Sequence, residues 1–163
     1  MWRVGILTCS DKGSQGERQD ASAAEIKKVL PPGTFRVERY EMVPDAQETI
    51  TARLVAWSDR ERLDLILTTG GTGLTPRDVT PEATMAALHR KIPGMAEAMR
   101  AASLAKTPHA MLSRAVAGTR GQTLIINLPG SPKGARENLE AVLPALPHAL
   151  EKIKGSEAEC GAG

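Results

Sequence analysis

Three short apolar runs constrain the fold more than any other feature of the sequence. Each is long enough for a buried β-strand: Val4–Cys9, Leu63–Thr69 and Thr123–Leu128. A fourth segment, Phe35–Val43, alternates less cleanly, as expected of a strand that is exposed on one side. Segments of helical composition separate these runs, and that alternation predicts βαβ units. We therefore expect an α/β fold with a single doubly wound, mainly parallel sheet and helices on both faces.

The predicted helices lie between and after these strands. Their expected bounds are Ala21–Leu30, Asp45–Arg60, about Pro81–Arg90, Pro93 to about Ala105, and one or two helices within Pro132–Lys154. One face of the second helix carries its apolar residues, which are Ala46, Ile50, Leu54 and Trp57. Lys106–Gly121 is ambiguous, and we expect a turn and a short helix around Met111–Val116 there.

Length and composition predict one folded domain. The 163 residues are 41% hydrophobic and 25% charged, which excludes disorder along the whole chain. We expect the domain to span residues 1–155 and the aperiodic segment 156–163 to be a disordered tail. The apolar run at the N-terminus is too short for a signal peptide or a membrane span. The sequence therefore predicts a cytoplasmic protein without a membrane partner, and its two cysteines, Cys9 and Cys160, are expected to be reduced.

The charge balance limits the ligands that the protein can bind. A formal net charge of +2 is far from the concentrated positive field of a protein that binds nucleic-acid backbones. Aromatic residues make up only 2% of the chain, which argues against folds that stack bases on aromatic side chains. We expect no nucleic-acid partner, and any anionic ligand should be small and bound locally.

A glycine-rich loop follows the second buried run. Gly70, Gly71 and Gly73 let the backbone approach a ligand closely and direct its N–H groups at an anion. Thr80 is predicted to cap the next helix and Pro81 to be its first residue, which puts a helix N-terminus beside the loop. Phosphate binding is one interpretation, and a turn that merely joins strand to helix is the other.

Asp78, in the same segment, favours the ligand site over the simple turn. A carboxylate beside a phosphate is repulsive unless a divalent cation lies between them. Mg²⁺ prefers this combination of one or two carboxylates with substrate phosphates. The loop is therefore interpreted as a site for a nucleotide and a metal ion.

A second loop, Asn127–Gly134, also leads from a predicted strand into a helix. Ser131 can cap that helix and Pro132 suits its first position, so both have a structural explanation. Lys133 is different, because a cation in the first helical turn opposes the helix dipole. An anion bound there would remove this penalty, although a lysine on the surface is also common at such a position.

Two more polar segments follow strands. Ser10–Asp20 is dense in polar residues and is either a ligand-binding loop or a solvated linker, with Asp20 or Ser22 as the cap of the next helix. Asp45 follows Pro44 and could itself be a helix cap. Because ligands of α/β sheets bind beyond the carboxyl ends of the strands, all four segments should converge on one edge of the sheet.

Several motifs together resemble those of the molybdopterin adenylyltransferase family of molybdenum cofactor biosynthesis. The resemblance covers the chain from Val4 to about Gly155. The segments that carry it are Ser10-Asp11-Lys12-Gly13-Ser14, Thr68–Thr84, Pro93-Gly94-Met95-Ala96-Glu97, Leu112-Ser113-Arg114-Ala115 and Asn127–Lys133.

The resemblance implies a doubly wound α/β domain, assembled as a homotrimer, that transfers AMP from ATP to the terminal phosphate of molybdopterin with Mg²⁺ as cofactor. It implies catalytic and metal-binding roles for Asp45 and Asp78. Nucleotide and phosphate groups would be bound by Gly70, Gly71, Thr72, Gly73, Pro129, Gly130, Ser131 and Lys133. The candidates for contact with the pterin are Ser10, Asp11, Ser14 and Arg114.

The implied partners are molybdopterin, ATP and a molybdate-inserting enzyme that would receive the product. Three other functions stay open from the sequence. The chain could bind molybdopterin but act at another step of the pathway or lack adenylylation activity. It could also be a non-catalytic scaffold, or a general sensor of nucleotide or phosphate.

Overall fold

One six-stranded sheet forms the centre of the computed structural model, which describes residues 1–16 and 19–157. The strands are β1 (Trp2–Cys9), β2 (Phe35–Val43), β3 (Leu65–Thr69), β4 (Arg90–Lys91), β5 (Ala117–Arg120) and β6 (Thr123–Leu128). Their order across the sheet is β2-β1-β3-β6-β5-β4. Strands β2, β1, β3 and β6 are parallel, whereas β5 runs antiparallel to both of its neighbours. The predicted α/β class with a mainly parallel sheet is confirmed.

The described residues form seven α-helices, which cover the sheet. They are α1 (Asp11–Ser14), α2 (Ala21–Val29), α3 (Gln47–Asp59), α4 (Thr80–Ala87), α5 (Pro93–Leu104), α6 (Pro132–Val142) and α7 (Leu146–Ile153). Short 3-10 helices occupy Pro108–Leu112 and Leu143–Ala145. No helix in the described part of the chain is long and apolar enough to span a bilayer.

Two hydrophobic cores, one on each face of the sheet, explain the doubly wound arrangement. One core packs α2, α5, α6 and α7 against one face, with Ile26, Met99 and Leu139 fully or almost fully buried. The other packs α3 and α4 against the opposite face, through Ile50, Leu54 and Trp57 among others. The continuous apolar strands follow from this arrangement, because strands covered on both faces need apolar side chains on both faces.

The antiparallel pair β4 and β5 is the main feature that the sequence did not predict. The helix expected over Pro81–Arg90 ends at Ala87, and Arg90–Lys91 instead pairs with β5. The short helix expected around Met111–Val116 is wrong. A 3-10 helix ends at Leu112, and the chain then extends into β5. With two and four residues, β4 and β5 are too short to show the alternation of apolar and polar residues that predicts a strand.

The starts of two predicted helices also differ from expectation. Thr80 does not cap α4: it is the first residue of that helix, its hydroxyl is buried, and Val79 precedes it without a side-chain cap. Asp45 is not a helix cap either, since Ala46 holds that position before α3. The polar segment after β1 contains one helical turn, capped by Ser10, and Asp20 caps α2 as one of the two predicted alternatives.

Most of the predicted tail lies outside the described residues. Ser156 and Glu157 follow the end of α7, whereas residues 158–163, and with them Cys160, are not described. Glu17 and Arg18 of the polar loop after β1 are likewise outside the described residues. Cys9 is a free thiol buried at the end of β1.

Candidate functional site

A cavity of about 490 Å³ lies at the carboxyl edge of the parallel strands. The chain passes from β1 to β2 on one side and returns to β3 on the other, so the strand order reverses at β1. This switch point is where open α/β sheets bind ligands. The cavity is lined by the segments Thr8–Ser10, Gln19–Ser22, Thr69–Gly71 and Gly130–Pro132, and by Gly13, Met42, Asp45 and Asp78. The predicted convergence of the four polar segments on one edge is therefore present in the structure.

Two loops that line this cavity, one with Gly70 and one with Gly130, are in close contact. Gly70 has a φ of +97°, and a Cβ on it would collide with the carbonyl oxygen of Cys9. On its other side, a Cβ on Gly130 would come within 3.2 Å of the Gly70 Cα. Thr69 Oγ1 also donates a 2.7 Å hydrogen bond to the Pro129 carbonyl. Glycine is needed here because the two loops leave no room for side chains.

Asp45 enters the cavity from the turn after β2, and Asp11 orients it. The backbone N–H of Asp11 donates to Asp45 Oδ2 at 3.0 Å, and the backbone N–H of Asp45 donates to Asp11 Oδ1 at 2.9 Å. The Arg77 guanidinium donates to both oxygens of Asp11, at 2.9 and 2.8 Å. Asp11, Asp45 and Arg77 belong to the loops after β1, β2 and β3. These contacts therefore join the three loops around the Asp11 carboxylate.

The electrostatic environment of Asp45 is unfavourable for a negative charge. Burial raises the pKa of its carboxyl, and the nearby charges of Asp11 and Asp78 act in the same direction, whereas the Asp11 N–H and Arg77 act against them. Its Oδ1 is buried and has no hydrogen-bond partner within the described part of the chain. By contrast, hydrogen bonds from Arg77 lower the pKa of Asp11. A cation beside Asp45 and Asp78 would relieve both the charge repulsion and the unpaired oxygen.

Asp78 also lines this cavity, from the loop before α4. Its Oδ2 accepts hydrogen bonds from the backbone N–H of Thr75 at 2.9 Å and from Thr75 Oγ1 at 2.8 Å. Residues 1–16 and 19–157 contain no group of three or more His, Cys, Asp or Glu arranged to hold a metal ion by itself. Two carboxylates beside a cavity do fit Mg²⁺, which takes its other ligands from water and substrate phosphates.

A second cavity, of about 560 Å³, lies on the other side of the glycine loop. Thr72, Gly73 and Pro129 line it, and Ser131 lines both cavities. Lys133, in the first turn of α6, also lines the second cavity and has no carboxylate partner among the described residues. The walls combine the apolar side chains of Leu74 and Leu112 with polar and charged ones, among them Lys106, His109 and Glu137.

Comparison with known proteins identifies the family. Residues 5–148 match the family model described as "Probable molybdopterin binding domain", which is most of the chain. The chain belongs to this family. A solved molybdopterin biosynthesis enzyme, MoaB from Thermus thermophilus, superposes with a TM-score of 0.91 at 63% identity, covering 96% of this chain and 98% of that one.

Curated relatives of the molybdopterin-binding family include both short enzymes and longer proteins. The molybdopterin adenylyltransferase of Helicobacter pylori strain J99 is 44% identical over 158 residues, covering 94% of this chain and 88% of that protein. The gephyrin of Dictyostelium discoideum is 49% identical over 162 residues, covering 93% of this chain but 22% of that protein. The chain therefore spans nearly all of the first relative and about a fifth of the second.

Most of the residues that the family resemblance selected line one of the two cavities. The first cavity contains Ser10, Asp45, Gly70, Gly71, Asp78, Gly130 and Ser131. The second contains Thr72, Gly73, Pro129, Ser131 and Lys133. Ser131 caps α6 by accepting a 3.0 Å hydrogen bond from the Gly134 N–H, as its position predicted. The roles proposed for these residues in binding and catalysis stay predictions.

All four pterin candidates have partners inside the protein, and three of them, Asp11, Ser14 and Arg114, line neither cavity. Arg77 and the Asp45 N–H engage both oxygens of Asp11, and Ser14 Oγ donates to the Asp11 carbonyl at 2.9 Å. Arg114 holds two backbone carbonyls and pairs with Glu82. Ser10 caps α1 and is the one of the four that lines the first cavity.

Sequence reasoning missed a set of contacts that fix the start of α2 against the first cavity. Asp20 Oδ2 accepts hydrogen bonds from Thr8 Oγ1 at 2.5 Å and from the Tyr40 hydroxyl at 2.6 Å. Ser22 Oγ donates to the Gly130 carbonyl at 2.6 Å, which joins residues 108 positions apart. The sequence around Asp20 and Ser22 predicted a helix cap, and it contained no signal for the distant contact between Ser22 and Gly130.

Proposed function

We propose that this member of the molybdopterin-binding family is a molybdopterin adenylyltransferase. It transfers AMP from ATP to the terminal phosphate of molybdopterin and releases pyrophosphate. One observation carries the proposal beyond family membership. Asp45 and Asp78 share a cavity with the glycine-loop backbone, at the switch point of the sheet. This site offers carboxylates for a cation and backbone amides for phosphate oxygens, which are the two requirements of adenylyl transfer.

The main barrier to this reaction is repulsion between two anions, the phosphate that attacks and the α-phosphate of ATP. Gly70 and Gly71 bring backbone close to the ligand because neither has a side chain in the cavity. The N-terminus of α6, capped by Ser131, presents a positive dipole end at the same cavity. Lys133 adds a cation on the side of the second cavity. Together these groups bind, align and neutralise the phosphates.

Asp45 and Asp78 would hold the Mg²⁺ of the ATP complex, directly or through water. When bound, the ion supplies positive charge that lowers the repulsion between the reacting phosphates. Asp11 and Arg77 keep the Asp45 carboxylate oriented, and Thr75 does the same for Asp78. No general base is required, because a phosphate monoester is largely ionised at pH 7, with a second pKa of about 6.

Further parts of the proposal concern the pterin, the assembly and the location. Ser10 is the proposed pterin contact because it lines the first cavity.

A homotrimer is proposed, and the exposed apolar side chains of Leu74, Met111 and Leu112 support an interface between subunits. Sedimentation should then give three times the 17.3 kDa of the single chain. We place the reaction in the cytoplasm, with a molybdate-inserting enzyme receiving the product.

The proposed function is tested with purified protein, molybdopterin, ATP and Mg²⁺. The wild-type protein should release pyrophosphate and form adenylylated pterin. Asp78→Asn, which retains an oxygen to accept the Thr75 hydrogen bonds but loses the charge, should abolish turnover while leaving folding nearly intact.

Asp59→Asn is the matched control, because Asp59 pairs with Arg120 away from both the cavity and the glycine loop. It should keep full turnover. Binding of molybdopterin without turnover by the wild-type protein would instead support a non-catalytic member of the family. Full turnover by Asp78→Asn would reject the role of that carboxylate.

A further inference from the structure

Arg114 makes a set of contacts that phosphate or pterin binding does not account for. Its Nε donates to the Gly73 carbonyl at 2.8 Å and its Nη2 donates to the Asp78 carbonyl at 2.7 Å. Nη1 pairs with the Glu82 carboxylate, and the Arg114 backbone N–H donates to the Thr72 carbonyl at 2.9 Å. One residue from the segment before β5 thus holds both ends of the loop 73–78.

This loop needs an external support. Leu74, Thr75, Pro76 and Arg77 are exposed, so no hydrophobic core holds its tip. Within the loop, Asp78 bonds to Thr75 through its side chain, and the Asp78 N–H donates to the Thr75 carbonyl at 3.0 Å. These bonds fix the loop's shape, and the two hydrogen bonds from Arg77 to Asp11 tie its exposed tip to the loop after β1. The long-range contacts from Arg114 hold the two ends of the loop, including the backbone of Asp78.

We propose that Arg114 is a positioning residue that sets the place of Asp78 at the cavity. A guanidinium can do this because its planar fork presents several donors at fixed angles, so one side chain binds two carbonyls and a carboxylate together. A lysine ammonium has the same charge but cannot reproduce this geometry. The side chain is 34% exposed, yet each of its three nitrogens already has a partner in the protein.

This inference rests on the proposed adenylyl transfer, and Arg114→Lys tests it. If Arg114 positions Asp78, the variant should lose about ten- to a hundredfold in kcat, the range expected when a catalytic group is displaced by about 1 Å. The KM for molybdopterin should stay within about twofold. Adding guanidinium at millimolar concentration to Arg114→Ala should restore part of the lost kcat.

A readout independent of activity accompanies the kinetics. In Arg114→Lys, backbone hydrogen exchange should accelerate at Thr75 and Asp78, whose N–H groups bond within the loop. Arg120→Lys is the matched control, because Arg120 also binds a carboxylate, Asp59, and a carbonyl, that of Ala87, outside both cavities. It should change neither kcat nor exchange in the loop.

The outcomes separate this inference from the proposed function. If the wild-type protein forms no adenylylated pterin, the proposed function fails. If the wild-type protein is active but Arg114→Lys keeps its kcat and loop protection, the positioning role is wrong. A rise in the KM for molybdopterin at unchanged kcat would also overturn it and assign Arg114 to direct contact with the substrate.

Discussion

Replacing Gly70 by alanine should disturb both the fold and the site, because the residue lies between β1 and the Gly130 loop. A left-handed φ costs a residue with a Cβ about 1–2 kcal/mol, and Gly70 has a φ of +97°. The new methyl group would also collide with the Cys9 carbonyl, which belongs to backbone and cannot rotate away. Overpacking of this kind costs about 1–3 kcal/mol. The two contributions together are about 2–5 kcal/mol, a large share of the ~5–15 kcal/mol that stabilises a typical domain.

Gly121→Ala is the control that separates these two contributions. Gly121 has a φ of +55° in the turn between β5 and β6, and a Cβ there would meet no atom within 4 Å. Its substitution should cost the backbone strain alone, about 1–2 kcal/mol. The assay is the free energy of unfolding from urea denaturation, measured beside the affinity for ATP by calorimetry.

Gly70→Ala should be at least about 1 kcal/mol less stable than Gly121→Ala, since it alone adds the collision. It should also bind ATP more weakly, because the loop must move. Equal losses of stability, with unchanged ATP affinity in Gly70→Ala, would refute the claim that close packing at Gly70 shapes the site.

Three further predictions address a buried amide and two groups whose pKa is raised. Asn127→Leu should lower the free energy of unfolding by about 2–5 kcal/mol, because it removes the hydrogen bonds of the Asn127 side chain to Thr68, Thr84 and the Val116 N–H; a loss below about 1 kcal/mol in denaturation would contradict this. Partial desolvation and the hydrogen bond to Asp20 raise the pKa of Tyr40 to about 12, so its stabilising effect should be complete below pH 10 and be lost as the pH rises through about 12. The stability gap between wild type and Tyr40→Phe should therefore narrow over that range, and a constant gap would show that Tyr40 does not titrate as described. Burial also raises the pKa of the Cys9 thiol to about 12, so iodoacetamide at pH 8 should label Cys9 only as fast as the protein unfolds, as measured by mass spectrometry; rapid labelling of the folded protein would contradict this.

Features set by local sequence were predictable. The strands β1, β3 and β6 are apolar because they are covered on both faces, and Ser131 and Asp20 cap helices as their positions suggested. The convergence of Asp45, Asp78 and Gly70 on one edge followed from the rule for parallel sheets. Here each signal lay within a few residues of the feature that it predicted.

Features that depend on distant contacts were not predictable in the same way. Thr80 has the composition of a helix cap, but packing next to Gly71 buries its hydroxyl inside the first turn of α4. β4 pairs with β5 across 25 or more residues of intervening chain, and neither strand is long enough to show a periodic pattern. The sequence selected Arg114 as a pterin candidate. It gave no sign of the three contacts that the side chain makes with residues 73–82, because those residues are distant from Arg114 in sequence.

The most direct test of the proposed function follows the α-phosphorus of ATP. Purified protein is mixed with molybdopterin, Mg²⁺ and ATP labelled at the α-phosphate, and the label is traced in a single turnover. Adenylyl transfer predicts that the label moves to the pterin with one pyrophosphate released for each AMP transferred, and that Asp78→Asn transfers none. Label that stays on ATP, or appears as ADP with no labelled pterin, would contradict the proposal that this cavity catalyses adenylyl transfer.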